Sequence, residues 1–344
     1  MGIMSNQDEF VGKRVVRDVF TKGGILLIPD NTILTREHIR LLHNHGIELI
    51  DADVAEVTAE AEPRKFRTEA VVETSVTQVS QIFEEIRESK KVPMSDLRSD
   101  VVPMIQDVAT RSTLASLFTS LQSKDDYTYR HMIAVGALAT LIGKWMNMDA
   151  NDLMQLTTAA VLHDVGKMLI PESILNKPGK LTPEEFEEMK RHTVLGYEML
   201  QKTPEVNERQ ALVALQHHER MDGGGYPYGI TGEKIDLYSR IVAVADVFHA
   251  MTSNRVYRKA SPFYEALFQL EKYSFNALDP EITLVFTGKM MSGLIGNTVQ
   301  LTDGRAGSIV LVHPHDPLRP LVRIDDGGYV DLSKDLSVHI KQIV

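Results

Sequence analysis

An aspartate stands inside an otherwise apolar helical run, IVAVADVFHAM (241–251), and this residue limits the possible folds more than any other feature. An ionised carboxylate in such a run is costly unless a partner compensates it. Asp246 must therefore meet a cation or a donor, and a capped or salt-bridged aspartate is the plain alternative. The run belongs to a long segment, from about residue 97 to 290, in which apolar residues recur at helical spacing between Gly-, Pro- and Asp-rich breaks. Other chemically active residues interrupt the same segment. His163 and Asp164 close the apolar run LMQLTTAAVL, and His131 opens HMIAVGALATLIG. His192 lies in KRHTVLG, and His217 and His218 are adjacent in QHHER. Each alone reads as a satisfied core or surface residue. Together they place imidazoles and two carboxylates on separate helices.

Mixed imidazole and carboxylate donors suit borderline divalent ions such as Fe, Mn, Co or Zn better than Ca or Mg. Neighbouring helical residues point about 100° apart, so His163 and Asp164 can converge on one ion. Lys167 follows His163 by four residues, on the same face. A carboxylate with two oxygens, as at Asp164, can bridge two ions about 3.5–4 Å apart. Such a pair generates hydroxide near neutral pH and steadies the oxygens of an in-line phosphoryl displacement.

The segments HDVGK, HTVLG, HHERMDGGGYP and ADVFHAMTSNRVYR, in this order and spacing, resemble the HD-GYP family, a branch of the HD phosphohydrolases. The resemblance implies a mainly α, helical HD-type catalytic domain. It implies that His131, His163, Asp164, His192, His217, His218 and Asp246 are metal ligands, with Asp164 bridging. His163 and Asp246, with His131, would hold one ion, and His192, His217 and His218 the other. Lys167 matches a lysine near the scissile phosphate, and Asp164 and Lys167 are the expected catalytic pair. Arg255 and Arg258 match phosphate-binding positions, where guanidinium forks serve well; a solvated helix end is the alternative. In the loop Asp222–Pro227 three glycines permit positive φ and close backbone approach. Gly225 and Tyr226 are expected beside substrate, against a structural turn with a packed tyrosine. Glu219 is expected to hold an imidazole tautomer. The implied reaction is hydrolysis of cyclic di-GMP to pGpG, with GMP as a further product left open, by a hydroxide bridging two ions of Fe or Mn. GGDEF-domain proteins are the implied signalling partners.

Three positions depart from the family pattern. Tyr127 occupies the place of a glutamate that helps hold a third metal, so two ions are expected; Asp125 and Asp126 have different offsets. His249 stands where an aspartate is usual. Val256 and Arg258 vary the arginine-bearing tail mildly.

The chain has 344 residues, enough for two or three domains. Residues 1–60 read as a small α+β module, with strands in VGKRVVRDVF, GGILLIP and IELIDADV. Its helix, TREHIRLLHNH, is capped by Thr35 and ended by Gly46. His43 and His45 within it read as surface residues. Residues 61–96 read as a linker and a helix with Val72, Val76, Val79, Phe83 and Ile86 at a/d spacing. That seam serves either packing on the catalytic domain or a homodimer. The catalytic domain is placed at 97–290, where Thr182-Pro183-Glu184-Glu185 signals a helix start. Residues 291–344 read as a β module with Asp-Gly turns.

A net charge of −10 argues against a general nucleic-acid binder but leaves a small anionic substrate open. No stretch approaches the roughly 20 apolar residues of a membrane span. The polar start MGIMSNQDEF is unlike a secretory signal, and Gly2 has no polybasic segment beside it to support an acyl anchor. The absence of cysteine excludes disulfides, thiolate metal sites and Cys nucleophiles and suits a reducing cytoplasm. Three readings compete with the leading one: a hydrolase of another cyclic or linear nucleotide, a catalytically weak cyclic-dinucleotide sensor, and a purely structural helical scaffold.

Overall fold

The computed structural model describes residues 8–17, 19–20, 26–28, 32–55, 68–121, 127–253 and 260–343. The chain forms two units, Met1–Phe66 with Thr287–Val344, and Arg67–Phe286. The fold is mainly α, and among the described residues the small sheets are confined to the first unit.

In the N-terminal part of the first unit, β1 (Arg14–Val15) pairs with β4 (Val54–Ala55), and β2 (Val19–Phe20) with β3 (Leu26–Ile28). Helix α1 (Arg36–Asn44) starts at Thr35, whose hydroxyl accepts from the His38 N–H at 3.3 Å. Phe10, Val15, Leu27, Ile28, Leu34 and Leu42 are among the residues of its core. Most of IELIDADV is not a strand: only Val54–Ala55 pairs. The Asp53 carboxylate accepts the Ile50 N–H at 3.0 Å and closes a turn at Asp51–Asp53, which competes with extension. His43 and His45 are exposed.

The C-terminal part is an antiparallel sheet in the order β8-β7-β6-β5-β9. The strands are β5 (Thr298–Leu301), β6 (Ala306–His313), β7 (Asp316–Ile324), β8 (Tyr329–Asp331) and β9 (Ile340–Ile343). Asp303-Gly304 and Asp326-Gly327 make the β5–β6 and β7–β8 turns, with both glycines at positive φ, 91° and 93°. Burial nearly alternates along β7, as expected for a strand with one face covered.

The second unit is built from helices. In order they are α2 (Thr68–Ser89), α3 (Met94–Asp96), α4 (Val102–Arg111), α5 (Leu114–Leu121), α6 (Tyr127–Trp145), α7 (Ala150–Leu162) and α8 (Glu172–Leu175). They continue with α9 (Pro183–Lys190), α10 (His192–Gln201), α11 (Glu208–Gln216), α12 (Leu237–Thr252), α13 (Phe263–Ser274) and α14 (Pro280–Ser292), which runs on past Phe286. Helix α6 is buried on every side from Arg130 to Gly143, the mark of a central helix. It packs on α7 and α12, and Thr140 and Thr157 share a hydrogen bond of 2.7 Å across the α6–α7 contact. The seam of α2 is buried inside this unit: Val72, Val79, Phe83 and Ile86 are 0 % exposed and Val76 5 %. Those side chains pack against the unit's own helices and are not open to a second copy. Arg130, only 3 % exposed, donates to both carboxylate oxygens of Glu73 at 3.0 Å and ties α6 to α2. The signal at Thr182 is realised: its hydroxyl accepts the Glu185 N–H, and the Glu185 side chain accepts the Thr182 N–H.

Candidate metal centre

Five elements bring the chemically active side chains together. His131 comes from α6, His163 and Asp164 from the end of α7, and His192 from the α9–α10 junction. His217 and His218 follow α11, and Asp246 lies in α12. The three helices α7, α9 and α11 all point their C-terminal ends at the cluster. A helix C-terminus carries roughly half a negative charge, which together with two carboxylates favours a cation.

The same helix ends orient the imidazoles. The last carbonyls of a helix have no intrahelical partner. His163 Nδ1 lies 2.7 Å from the Ala160 carbonyl, and His192 Nδ1 2.7 Å from that of Met189. His217 Nδ1 lies 3.0 Å and 3.1 Å from the carbonyls of Val213 and Ala214. A carbonyl only accepts, so each Nδ1 carries the proton and each Nε2 presents a lone pair inward. The Nε2 atoms of His192 and His217 face each other at 3.5 Å.

Asp164 is the meeting point. Its Oδ1 is 3.3 Å from His192 Nε2 and 3.7 Å from His217 Nε2. Its Oδ2 is 3.2 Å from His163 Nε2, 3.9 Å from His131 Nε2 and 2.6 Å from Lys167 Nζ. Asp246 Oδ1 is 3.1 Å from His131 Nε2, and Oδ2 is 4.0 Å from His218 Nδ1. Among the described residues, two groups have donor atoms within 4.8 Å of one another: Asp164 with His192, His217 and His218, and Asp164 with His131 and His163. Asp164 belongs to both. All seven expected ligand residues are thus gathered in one place, buried except for the part-exposed His218.

Protonation states suit cation binding. Burial would raise both carboxyls, but Lys167 and His163 hold Asp164 well below the usual range, and hydrogen bonding to His131 does the same for Asp246. Burial pushes His192 down to about 3 and also lowers His131 and His218. Burial acts downward on His163 most strongly, but the charge and hydrogen bond of Asp164 and the charge of Asp246 together outweigh it and leave that ring raised. His163 Nε2 and Asp164 Oδ1 are buried without a hydrogen bond. Unsatisfied buried polar atoms demand an explanation, and both belong to the cluster. The buried His/Asp cluster fits a divalent-metal site.

The loop after His218 differs in detail from its sequence reading. Only Gly223 of its three glycines has positive φ, at 79°. Gly225 serves close approach instead: a Cβ there would lie 2.4 Å from the His218 carbonyl oxygen and 2.5 Å from the Arg220 nitrogen. The Tyr226 N–H donates to that same carbonyl at 3.2 Å, and its ring centroid is 4.7 Å from that of His218. Burial, then the charges of Asp164 and Asp246, push the Tyr226 phenol upward, so it stays a neutral hydroxyl. Phe186, 48 % exposed, continues the aromatic edge outward, its ring 6.4 Å from Tyr226. Glu219 holds no imidazole. Its Oε1 accepts the Tyr228 N–H at 2.8 Å, so it braces the loop. Arg255, Val256 and Arg258 lie outside the described residues, as do Asp125, Asp126 and the Tyr127 side chain.

Two contributors were not legible in the sequence. Gly166 lets the turn after α7 sit against α10: a Cβ there would lie 1.9 Å from the His192 carbonyl oxygen. Its place between Val165 and Lys167 hints at a tight turn but not at this partner. His249, noted only as a departure, lies with its Nδ1 2.8 Å from His131 Nδ1.

The chain matches the HD domain family over residues 99–282. A cyclic di-GMP phosphodiesterase of Pseudomonas aeruginosa is 37% identical over 227 residues, covering 66% of this chain and 55% of that protein. A 3'3'-cGAMP-specific phosphodiesterase of Vibrio cholerae is 37% identical over 161 residues, covering 47% of this chain and 35% of that protein. The chain thus spans about half or less of the length of these relatives. Among solved structures, an HDG"Y"P protein of Bdellovibrio bacteriovorus, Bd1817, shares the fold with a TM-score of 0.52 at 15% identity, covering 80% of this chain and 95% of that one.

Proposed function

Because the chain belongs to the HD domain family, in its HD-GYP branch, we propose that it is a metal-dependent phosphodiesterase that hydrolyses cyclic di-GMP to pGpG. The observation that carries this reading is Asp164, a buried carboxylate shared by two histidine groups. His131, His163 and Asp246 would hold one ion, His192, His217 and His218 the other, and Asp164 both. Fe or Mn is the proposed pair, because the donors are imidazole and carboxylate with no thiolate. When bound, such a pair lowers the pKa of water toward neutrality and offsets charge on the phosphoryl oxygens.

The chain's residues supply the rest. Lys167, part-exposed at 25 %, stands beside Asp164 and would neutralise the phosphoryl oxygens as charge develops. Arg255 and Arg258 would clamp the phosphates. Tyr226 would line the substrate side of the His218 ligand, and Gly225 would let the loop backbone come close. Water adds to phosphorus, the bond to the 3′ oxygen breaks, and a linear dinucleotide with a 5′ phosphate results; a second round would give GMP.

The remainder of the reading rests on sequence pattern and composition, and for the signalling partners on the resemblance. The domains are 1–60, 61–96, 97–290 and 291–344, with the second a linker and helix. The protein acts in the cytoplasm, and no helix among the described residues is long and apolar enough to cross a membrane. GGDEF-domain proteins are the proposed partners. A homodimer through the 72–86 helix would use its polar outer face, which includes Thr74, Gln81 and Glu85, because the apolar seam is filled.

A second reading, hydrolysis of another cyclic dinucleotide, is favoured by the likeness to the cGAMP-specific relative. Anaerobically purified protein loaded with Fe(II) or Mn(II) and offered each dinucleotide separates the two. Binding of either without turnover would support a sensor instead. Asp164→Ala should abolish hydrolysis and lower metal content; full activity in that variant would end the proposal.

A further inference from the structure

We propose that His249 is a positioning residue for the metal centre, fixing with Ser253 which ring nitrogen His131 turns toward Asp164 and Asp246. This rests on the two-ion reading of the cluster. His163, His192 and His217 each follow a helix end and use a backbone carbonyl of its last turn to set their tautomer. His131 lies inside α6, and its Nδ1 faces a side chain of α12.

The geometry points to His249. The two Nδ1 atoms lie 2.8 Å apart, and His249 Nε2 lies 3.0 Å from Ser253 Oγ. Two ring nitrogens at that distance must be one N–H and one lone pair. His131 Nε2, 3.1 Å from Asp246 and 3.9 Å from Asp164, faces the cluster. To ligate through it, His131 must carry its proton on Nδ1. His249 must then accept at Nδ1 and hold its own proton on Nε2, which donates to Ser253. Ser253 sits one helical turn after His249, at the end of α12, so one element carries acceptor and anchor together. Both are buried, at 4 % and 3 % exposure. They border a cavity of about 200 Å³, which gives a substituted side chain room.

Mn(II) binding to the full chain tests this directly, by competition with a chromophoric chelator and by metal analysis. The wild type should take up two ions. His249→Leu should weaken one of them about 10–100-fold, the usual cost of losing a ligand's outer partner, and leave the other unchanged. His249→Asn, whose carbonyl oxygen can take the place of Nδ1, should recover most of that loss, and Ser253→Ala should fall between. If His249→Leu binds both ions as the wild type does, the proposal is wrong. It is equally wrong if His249→Asn is as weak as His249→Leu while unfolding at the wild-type temperature, and wild-type binding by Ser253→Ala removes the outer member of the relay. A wild type that binds fewer than two ions would overturn the two-ion reading itself, a result separable from the others.

Discussion

Replacing Gly166 by alanine should disable the metal centre without touching a ligand. The new Cβ would lie 1.9 Å from the His192 carbonyl oxygen, 2.5 Å from the Gly196 nitrogen and 2.9 Å from the His192 carbonyl carbon. All three obstacles are backbone, so no rotamer change relieves them. Cβ contacts essentially never fall below 3.0 Å, so the turn after α7 and the first turn of α10 must part by at least 1.1 Å. Metal–nitrogen distances are held near 2.0–2.1 Å and tolerate only about 0.2 Å. The required shift exceeds that tolerance several-fold, and it falls on His192 itself. The ion proposed for His192, His217 and His218 should therefore bind about 10–100-fold more weakly. Overpacking should destabilise the fold by about 1–3 kcal/mol, and hydrolysis should fall on the order of 100-fold, as for misplacements near 1 Å. Mn(II) titration, thermal unfolding and a product assay read the three quantities. Gly288→Ala is the control, since a Cβ there meets nothing within 4 Å. Uptake of two ions at wild-type affinity by folded Gly166→Ala would refute the close-approach argument.

Lys167→Met should leave metal content within about twofold and lower kcat about 10²–10³-fold, the usual cost of one lost transition-state donor; steady-state kinetics with metal analysis checks this, and an unchanged kcat would remove Lys167 from the chemistry. In the C-terminal sheet, hydrogen bonds from Ser333 first, then Lys334 and His313, bring the Asp331 carboxyl down to about 2. A carboxylate depressed in the folded state stabilises above its unfolded value and loses that contribution as pH falls through the folded one. Asp331→Asn should therefore cost about 1 kcal/mol at pH 7 after solvent screening, with roughly half the difference gone by pH 3. Urea unfolding at both pH values reads it, and a gap that does not narrow in acid would exclude the carboxylate as its source.

The sequence alone was enough for those features that depend on one residue's own cost or on local spacing. Asp246 in an apolar helix required a partner, and the partner is there. The helical period of α2, α6, α7 and α12, the cap at Thr182 and the Asp-Gly turns of the C-terminal sheet are all local signals, and each is realised. The seven residues proposed as ligands were legible because imidazoles and carboxylates interrupt apolar helices and because their motifs resemble those of a known family. Other features needed the tertiary structure, because their cause lies in groups brought from elsewhere in the chain. The α2 seam had two possible occupants until the unit's own helices filled it. Glu219 follows the histidine pair in sequence, yet folding aims it at the Tyr228 amide. Gly166 is explained only by the His192 carbonyl, and His249 only by His131, 118 residues away. A hydrogen bond or a steric contact has a range of a few ångströms, so which groups lie within that range was decided by the packing of α6, α10 and α12.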